Sequence, residues 1–334
     1  MKERVGVALI GVGWMGGVHA DGYATMPDVQ LVAVSDVDTT RAEAFAKRYG
    51  VPNVYTDYKK MLERDDIVAV DVCTPPFNHL EIVRDVLRAG KNASVQKPIT
   101  LTLEEANAMI HEAEASGKLL MASYMFRFAP LTLKAKELIA EGKIGNPRIG
   151  YHRMMIPTWR PGPWAWDPKL GGGMIVEMLT HGFDLYNWYI GRPVRVYAAG
   201  NCTRRPNFHD NASVTISYEN GAVVTVQGSW AAPDNFPTHK LELIGSEGAI
   251  YFEGGSFASG SSSYRLTLVD GKTAYSWENP GRGQAEKLRG YIDAIKSGNR
   301  KGIPTAVDGK LALEVALAAQ QSLDTGGVVD LPLS

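Results

Sequence analysis

At 334 residues the chain is about twice the size of a typical domain, so two units are expected, each with its own core. Thirty-five basic residues against 36 acidic ones leave a formal charge of −1, which argues against a nucleic-acid or anionic-membrane surface. Two cysteines cannot build a disulfide framework or a cysteine-rich zinc site, and no apolar run approaches the roughly 20 residues of a membrane helix. The N-terminus reads directly into a strand pattern with no targeting segment, and the expectation is a reduced, cytoplasmic, globular protein.

The first 123 residues alternate strand and helix patterns. Residues 5–10 form a continuous apolar run, as in a parallel strand covered on both faces. A glycine turn at 11–17 leads into a helix ending near 26. A strand at 29–35 and a helix at 39–49 follow, the helix stopped by Gly50 and Pro52. A strand at 67–73, a helix at 77–89 closed by Gly90, a strand at 93–96, a helix at 103–116 and a strand at 119–123 complete the series. Such alternation predicts an α/β Rossmann domain, a doubly wound parallel sheet over residues 1–123.

Residues 124–334 read differently. Helices are expected at 130–141 and 173–190, then strands at 194–202, 212–218, 222–230, 240–244 and 250–253. Glu219-Asn220-Gly221 between two alternating runs is a hairpin signal. A Gly/Ser-rich loop at 256–263 and helices at 285–297 and 306–323 close the chain. The prediction is a C-terminal α+β domain with a large, mostly antiparallel sheet, its closing helices free to pack back on the first domain.

Gly11-Val12-Gly13-Trp14-Met15-Gly16 follows a strand and opens a helix. Gly11 permits the tight turn, Gly13 lets backbone approach a pyrophosphate, and Gly16 lets helix and strand pack closely. The helix N-terminus adds free N–H groups and the positive end of its dipole. Asp36, 20 residues past Gly16 at the end of the second strand, is suited to the ribose hydroxyls and repels a 2′-phosphate. This points to NAD. Arg41, close downstream, leaves NADP open as a second cofactor.

Lys97, in Gln96-Lys97-Pro98, lies just past a strand end, where ligands of such folds bind. Pro98 restricts its backbone. Farther on, Glu177, His181 and Asp184 fall on one face of an otherwise apolar expected helix. The stripe reads either as a polar cleft wall or as a buried structural histidine with its partners. No further ligand cluster supports a metal there, so no metal is expected. Residues 158–167 hold three tryptophans and Arg160. They read equally as a sugar-stacking loop, with Arg160 and Trp164 the functional candidates, or as a hydrophobic plug.

Several motifs occur in one order: the glycine turn, Thr74-Pro75-Pro76-x-Asn78-His79, Ala89-Gly90-Lys91, Gln96-Lys97-Pro98, Tyr124-x-x-Arg127-Phe128, Gly171-Gly172-Gly173 with Glu177 and His181, Asp308-Gly309, and a strand at 328–331. Together they resemble the glucose–fructose oxidoreductase / inositol dehydrogenase / MocA family over essentially the whole chain. The resemblance implies an NAD(P)-dependent oxidoreductase acting on a secondary alcohol or ketone of a sugar, cyclitol or related polyol. It also implies a homodimer or homotetramer formed through the open C-terminal sheet.

In that pattern Lys97 hydrogen-bonds the reacting oxygen, His181 relays its proton, and Glu177 orients substrate or imidazole. Trp14, Met15, Thr74, Pro75, Asn78, His79 and Gln96 fall against the cofactor, His79 equally suited to anchoring its helix. Tyr124, Arg127, Arg160 and Trp164 fall toward the substrate. Two departures stand out: Gln96 where the family usually has Glu, and Glu177 where it most often has Asp. The rival readings are an NAD-dependent glycosidase working by transient oxidation and elimination, a non-catalytic dinucleotide or sugar sensor, and a metal hydrolase using Glu177, His181 and Asp184.

Overall fold

The computed structural model describes residues 4–156, 162–233, 239–254, 264–270, 273–279 and 283–333. The loop expected at 256–263 lies outside the described residues. The chain divides into two units, Met1–Met125 with Gly283–Lys310, and Phe126–Arg282 with Leu311–Ser334.

The first unit is built on six parallel strands: β1 (Val5–Ile10), β2 (Val29–Ser35), β3 (Asn53–Tyr55), β4 (Ala69–Val72), β5 (Asn92–Val95) and β6 (Leu120–Ala122), in the order β3-β2-β1-β4-β5-β6. Between them run α1 (Trp14–Ala24), α2 (Thr39–Tyr49), α3 (Tyr58–Leu62), α4 (His79–Arg88) and α5 (Leu103–Ser116). Val7, Ala8 and Leu9 of β1 are wholly buried, which is why this strand shows no polar alternation. Local signals set the helix ends. The Asp38 carboxylate accepts from Arg41 N at the start of α2, and Gly50 closes that helix with φ +67°. Sequence order reverses between β1 and β4, so the loops leaving β1, β4 and β5 emerge at the carboxyl ends beside this switch point.

The second unit carries a nine-stranded sheet of β7 (Pro147–Met155), β8 (Pro193–Asn201), β9 (Asn211–Tyr218), β10 (Val223–Ser229), β11 (His239–Gly245), β12 (Gly248–Gly254), β13 (Tyr264–Asp270), β14 (Thr273–Asn279) and β15 (Val329–Asp330). Their order is β14-β13-β12-β11-β7-β10-β9-β8-β15, antiparallel except where β7 and β10 run parallel. The expected hairpin joins β9 to β10, with Gly221 at φ +83°. The helices are α6 (Pro130–Ala140), α7 (Pro168–Gly171) and α8 (Thr180–Ile190).

The expected single helix over 173–190 is corrected: Ile175–Leu179 is π-helical and α8 begins at Thr180. The central strand β7 escapes the sequence pattern because its buried side is Gly150, His152 and Met154, while Ile149 faces outward and is 54 % exposed. Gly150 is required there, since a Cβ would lie 2.8 Å from the Tyr186 ring.

Of the closing helices α9 (Gln284–Ser297) and α10 (Ala306–Thr325), α9 and the first turn of α10 belong to the first unit, and the rest of α10 belongs to the second. Gly22 of α1 admits Leu288 of α9 so closely that a Cβ would lie 2.7 Å from its Cδ1. Gly309 of α10 likewise rests against Ile99, and Pro304 O accepts from Ala122 N of β6 at 2.9 Å.

Candidate active site

The glycine turn leaving β1 has three glycines with three different reasons. Gly11 sits at φ +87°, where a Cβ would also meet the Cys73 backbone at 2.8 Å. A Cβ on Gly16 would lie 2.4 Å from Gly11 O, so this glycine sets the approach of α1 to the turn. Gly13 is different: its φ is −70° and an added Cβ would meet nothing within 4 Å. Nothing inside the described protein requires glycine there, whereas a pyrophosphate lying on the α1 N-terminus does. Trp14, 67 % exposed, and half-buried Met15 open the helix.

Asp36 is buried at the end of β2. Its Oδ2 accepts from Val12 N at 2.9 Å and its Oδ1 from Asp38 N at 3.0 Å, with Arg41 Nη1 at 3.5 Å. The carboxylate therefore ties the glycine turn to the β2 end, with a guanidinium close by.

After β4, Thr74 and Pro75 turn the chain into a short 3₁₀ segment, Pro76–Asn78. Thr74 Oγ1 and Asn78 Oδ1 are buried without a hydrogen-bond partner among the described residues. Two such orphaned groups beside the switch point fit a polar ligand. His79 is wholly buried, its Nδ1 3.0 Å from Pro98 O and its Nε2 2.9 Å from Thr74 O, so the ring braces the β4 turn against the β5 turn.

Lys97 lies two residues past β5 and is half-buried; its peptide bond to Pro98 is cis. Gln96 turns inward. Its Nε2 lies 2.8 Å from His19 Nε2 and donates to Ser123 Oγ at 3.1 Å. Lys287 Nζ of α9 reaches the same groups, 3.0 Å from His19 Nε2 and 2.5 Å from Ser123 Oγ. His19 Nδ1 lies 2.5 Å from Asp71 Oδ2, which also accepts from Tyr23 Oη at 3.1 Å. Among the described residues, His19, Asp71 and Cys73 bring ligand-type atoms within 4.8 Å of one another, but the Lys287 ammonium already supplies positive charge there.

The sequence offers no site argument for this group. A usable signal exists: Asp71 is charged within a strand buried on both faces, and Lys287 stands among the apolar positions of α9.

In the second unit Glu177 lies half-buried in the π-helical segment, and half-buried His181 lies in the first turn of α8, its ring 5.3 Å from Phe126. Asp184 does not extend their stripe. It is buried and receives Arg127 Nε at 2.9 Å and Nη2 at 2.6 Å, so its carboxylate is paired with a guanidinium. Tyr124, in the first unit, is 1 % exposed.

Trp164 is half-buried in the 3₁₀ segment Pro163–Trp166, and Arg160 lies outside the described residues. Trp166 packs 5.1 Å from both Phe208 and Trp230, with the Arg205 guanidinium 4.6 Å above its ring, as a plug does. The π-helical segment and α8 also lie near a histidine the sequence did not mark: buried His152, its pKa pushed down to about 3 by desolvation and by neighbouring His239.

Comparison with known proteins gives this geometry a lineage. Residues 5–124 match the GFO/IDH/MocA oxidoreductase family, NAD-binding Rossmann fold, and residues 132–251 match the GFO/IDH/MocA C-terminal domain. The chain belongs to the GFO/IDH/MocA oxidoreductase family.

This family member is 29 % identical to a myo-inositol 2-dehydrogenase from Thermotoga maritima, over 96 % of each chain. It is 28 % identical to a scyllo-inositol 2-dehydrogenase (NAD(+)) from Bacillus subtilis, over 99 % of this chain and 97 % of the relative. The structure of GenD2 from gentamicin A biosynthesis in complex with NAD superposes with a TM-score of 0.86 at 26 % identity, over 100 % of this chain and 98 % of that one. The protein is thus an oxidoreductase with an NAD-binding Rossmann domain. The open position at Gly13 and the orphaned polar atoms of Thr74 and Asn78 fit that cofactor. Among the described residues no helix is long and apolar enough to cross a membrane.

Proposed function

We propose that this protein interconverts a secondary alcohol and a ketone on a sugar, cyclitol or related polyol, with NAD as its preferred cofactor. One observation carries the reading. The glycine turn, the Thr74-Pro75 turn and Lys97 leave three adjacent strands, β1, β4 and β5, at the carboxyl edge beside the switch point. When bound along these loops, a dinucleotide would be held at the α1 N-terminus by the glycine turn, and Lys97 would serve its reacting end. The relatedness to two inositol dehydrogenases over nearly the full chain supports the polyol class.

The cofactor, when bound, exchanges hydride with the substrate carbon. An alcohol holds its proton at neutral pH, so oxidation needs that proton removed as hydride leaves. In this reading His181 takes the proton, Lys97 donates a hydrogen bond to the developing alkoxide, and Glu177 orients the imidazole or the substrate. Arg160 and Trp164 complete the substrate contacts. Reduction runs through the same groups, with His181 as the acid.

The open face of the second unit's sheet supports association with a second copy. Val223, Ile149 and Ile244 are register neighbours on β10, β7 and β11, and all three are exposed. Sedimentation of the wild type and of Ile149→Lys tests this, and a monomeric wild type overturns it.

The deciding experiment follows NADH formation with myo-inositol, other cyclitols and aldoses, in wild type and Lys97→Ala. Turnover in the wild type and its loss in the variant, with NAD still bound, is the expected result. Near-normal turnover in Lys97→Ala overturns the assigned chemistry.

A further inference from the structure

We propose that Lys287, acting through Ser123 and His19, is a positioning residue that clamps the Gln96 side chain and so fixes the turn from which Lys97 projects. The catalytic consequence rests on the reading of Lys97 given above; the clamp itself rests on the geometry of the first unit alone.

His19 Nδ1 lies 2.5 Å from a carboxylate, Asp71 Oδ2, so Nδ1 carries the proton and Nε2 is the acceptor. Two donors face that acceptor, Gln96 Nε2 at 2.8 Å and Lys287 Nζ at 3.0 Å. The same two donors converge again on Ser123 Oγ, at 3.1 and 2.5 Å, and Lys287 also donates to Gln284 Oε1 at 2.9 Å. Gln96 is therefore gripped by α1 through His19 and by the residue after β6 through Ser123. Lys287 is bonded to both grips.

The charges make the arrangement specific. Nζ meets His19 Nε2, Ser123 Oγ and Gln284 Oε1 and feels the charges of Asp71 and Cys73 at the end of β4, while Tyr23 of α1 and Tyr291 of α9 act on Asp71. Asp71 is the one carboxylate among them, and Lys287 balances it across a neutral imidazole. A fully buried ammonium is costly: burial lowers the Lys287 pKa to about 8 from 10.5. An apolar side chain would fill the space without that cost, but could not donate to Ser123 and His19 together. The ammonium shares both acceptors of Gln96, the residue before Lys97, whose carboxamide has no charge of its own.

The test compares Ser123→Ala, which removes the shared acceptor and keeps every charge, with Lys287→Met. Full-length protein is trace-acetylated with acetic anhydride, and the Lys97 peptide is quantified by mass spectrometry against exposed Lys169 as reference. Both variants are expected to change the Lys97 rate by about threefold or more while Lys169 stays constant. With NAD and myo-inositol, kcat is expected to fall about tenfold while the NAD dissociation constant stays within about twofold.

Where Lys287→Met does not fold, Ser123→Ala decides alone. Unchanged Lys97 acetylation in every folded variant overturns the clamp. Lys97→Ala separates the two claims: turnover retained there overturns the role of Lys97, and the acetylation result still decides whether Lys287 holds it.

Discussion

Asp184 receives both Nε and Nη2 of Arg127, at 2.9 and 2.6 Å, with side chains 1 % and 7 % exposed. Such a pair is strong in geometry but leaves a costly charge behind when broken. Asp184→Asn is expected to lower unfolding free energy by about 3–5 kcal/mol in urea titration, and Arg127→Met with Asp184→Leu should recover most of that loss. A loss below about 1 kcal/mol in the single variant would show that the pair is not holding this part of the unit together.

Gly13 and Gly16 separate binding from folding. Gly13→Ala places a methyl in open space at an allowed φ, so unfolding free energy should move by less than about 1 kcal/mol. Its NAD affinity should fall about tenfold or more by calorimetry, because the methyl occupies the approach to the α1 N-terminus. Gly16→Ala drives a Cβ to 2.4 Å from Gly11 O and should cost about 1–3 kcal/mol of stability. Equal effects of the two changes on stability would contradict this division.

Asp36 bonds Val12 N and Asp38 N while Arg41 Nη1 waits 3.5 Å away. Asp36→Ala removes the anion that repels a 2′-phosphate and leaves the guanidinium that attracts one. The ratio of NADP to NAD affinity should rise about tenfold or more, read by paired titrations. An unchanged ratio would mean that Asp36 serves only the turn.

Lys287 carries a pH signature. Its pKa is about 8 in the folded chain against 10.5 for an unperturbed lysine. Between those values the unfolded chain binds a proton that the folded chain does not, so this group makes stability rise with pH. Lys287→Met lacks the group. The wild-type-minus-variant difference in unfolding free energy should therefore climb by about 1.4 kcal/mol per pH unit from about 8 to about 10.5, and stay flat below about 7. Urea titrations at four pH values measure it, and a flat difference throughout would show that the ammonium is not buried as described.

What the sequence determined alone was whatever depends on near neighbours in the chain. Apolar runs bounded by glycine and proline located β1, β2 and β4 with α1 and α2, while the short β3 and α3 went unread. The turn chemistry of residues 219–221 located the hairpin, and the spacing from Gly11 to Asp36 marked the Rossmann βαβ unit, because both signals are local in the chain. Tertiary structure decided the rest, for reasons of packing. β7 carries its small and polar residues on the buried side because Gly150 must admit Tyr186, so its pattern is inverted. Asp184 looked like a third member of the Glu177–His181 stripe until a π-helical segment and Arg127, 57 residues upstream, gave it another partner. Lys287 and His19 stand 268 residues apart, and only the return of α9 onto α1 brings an ammonium to an imidazole. A buried charge is stable only beside its complement, and where that complement lies is a property of the folded chain.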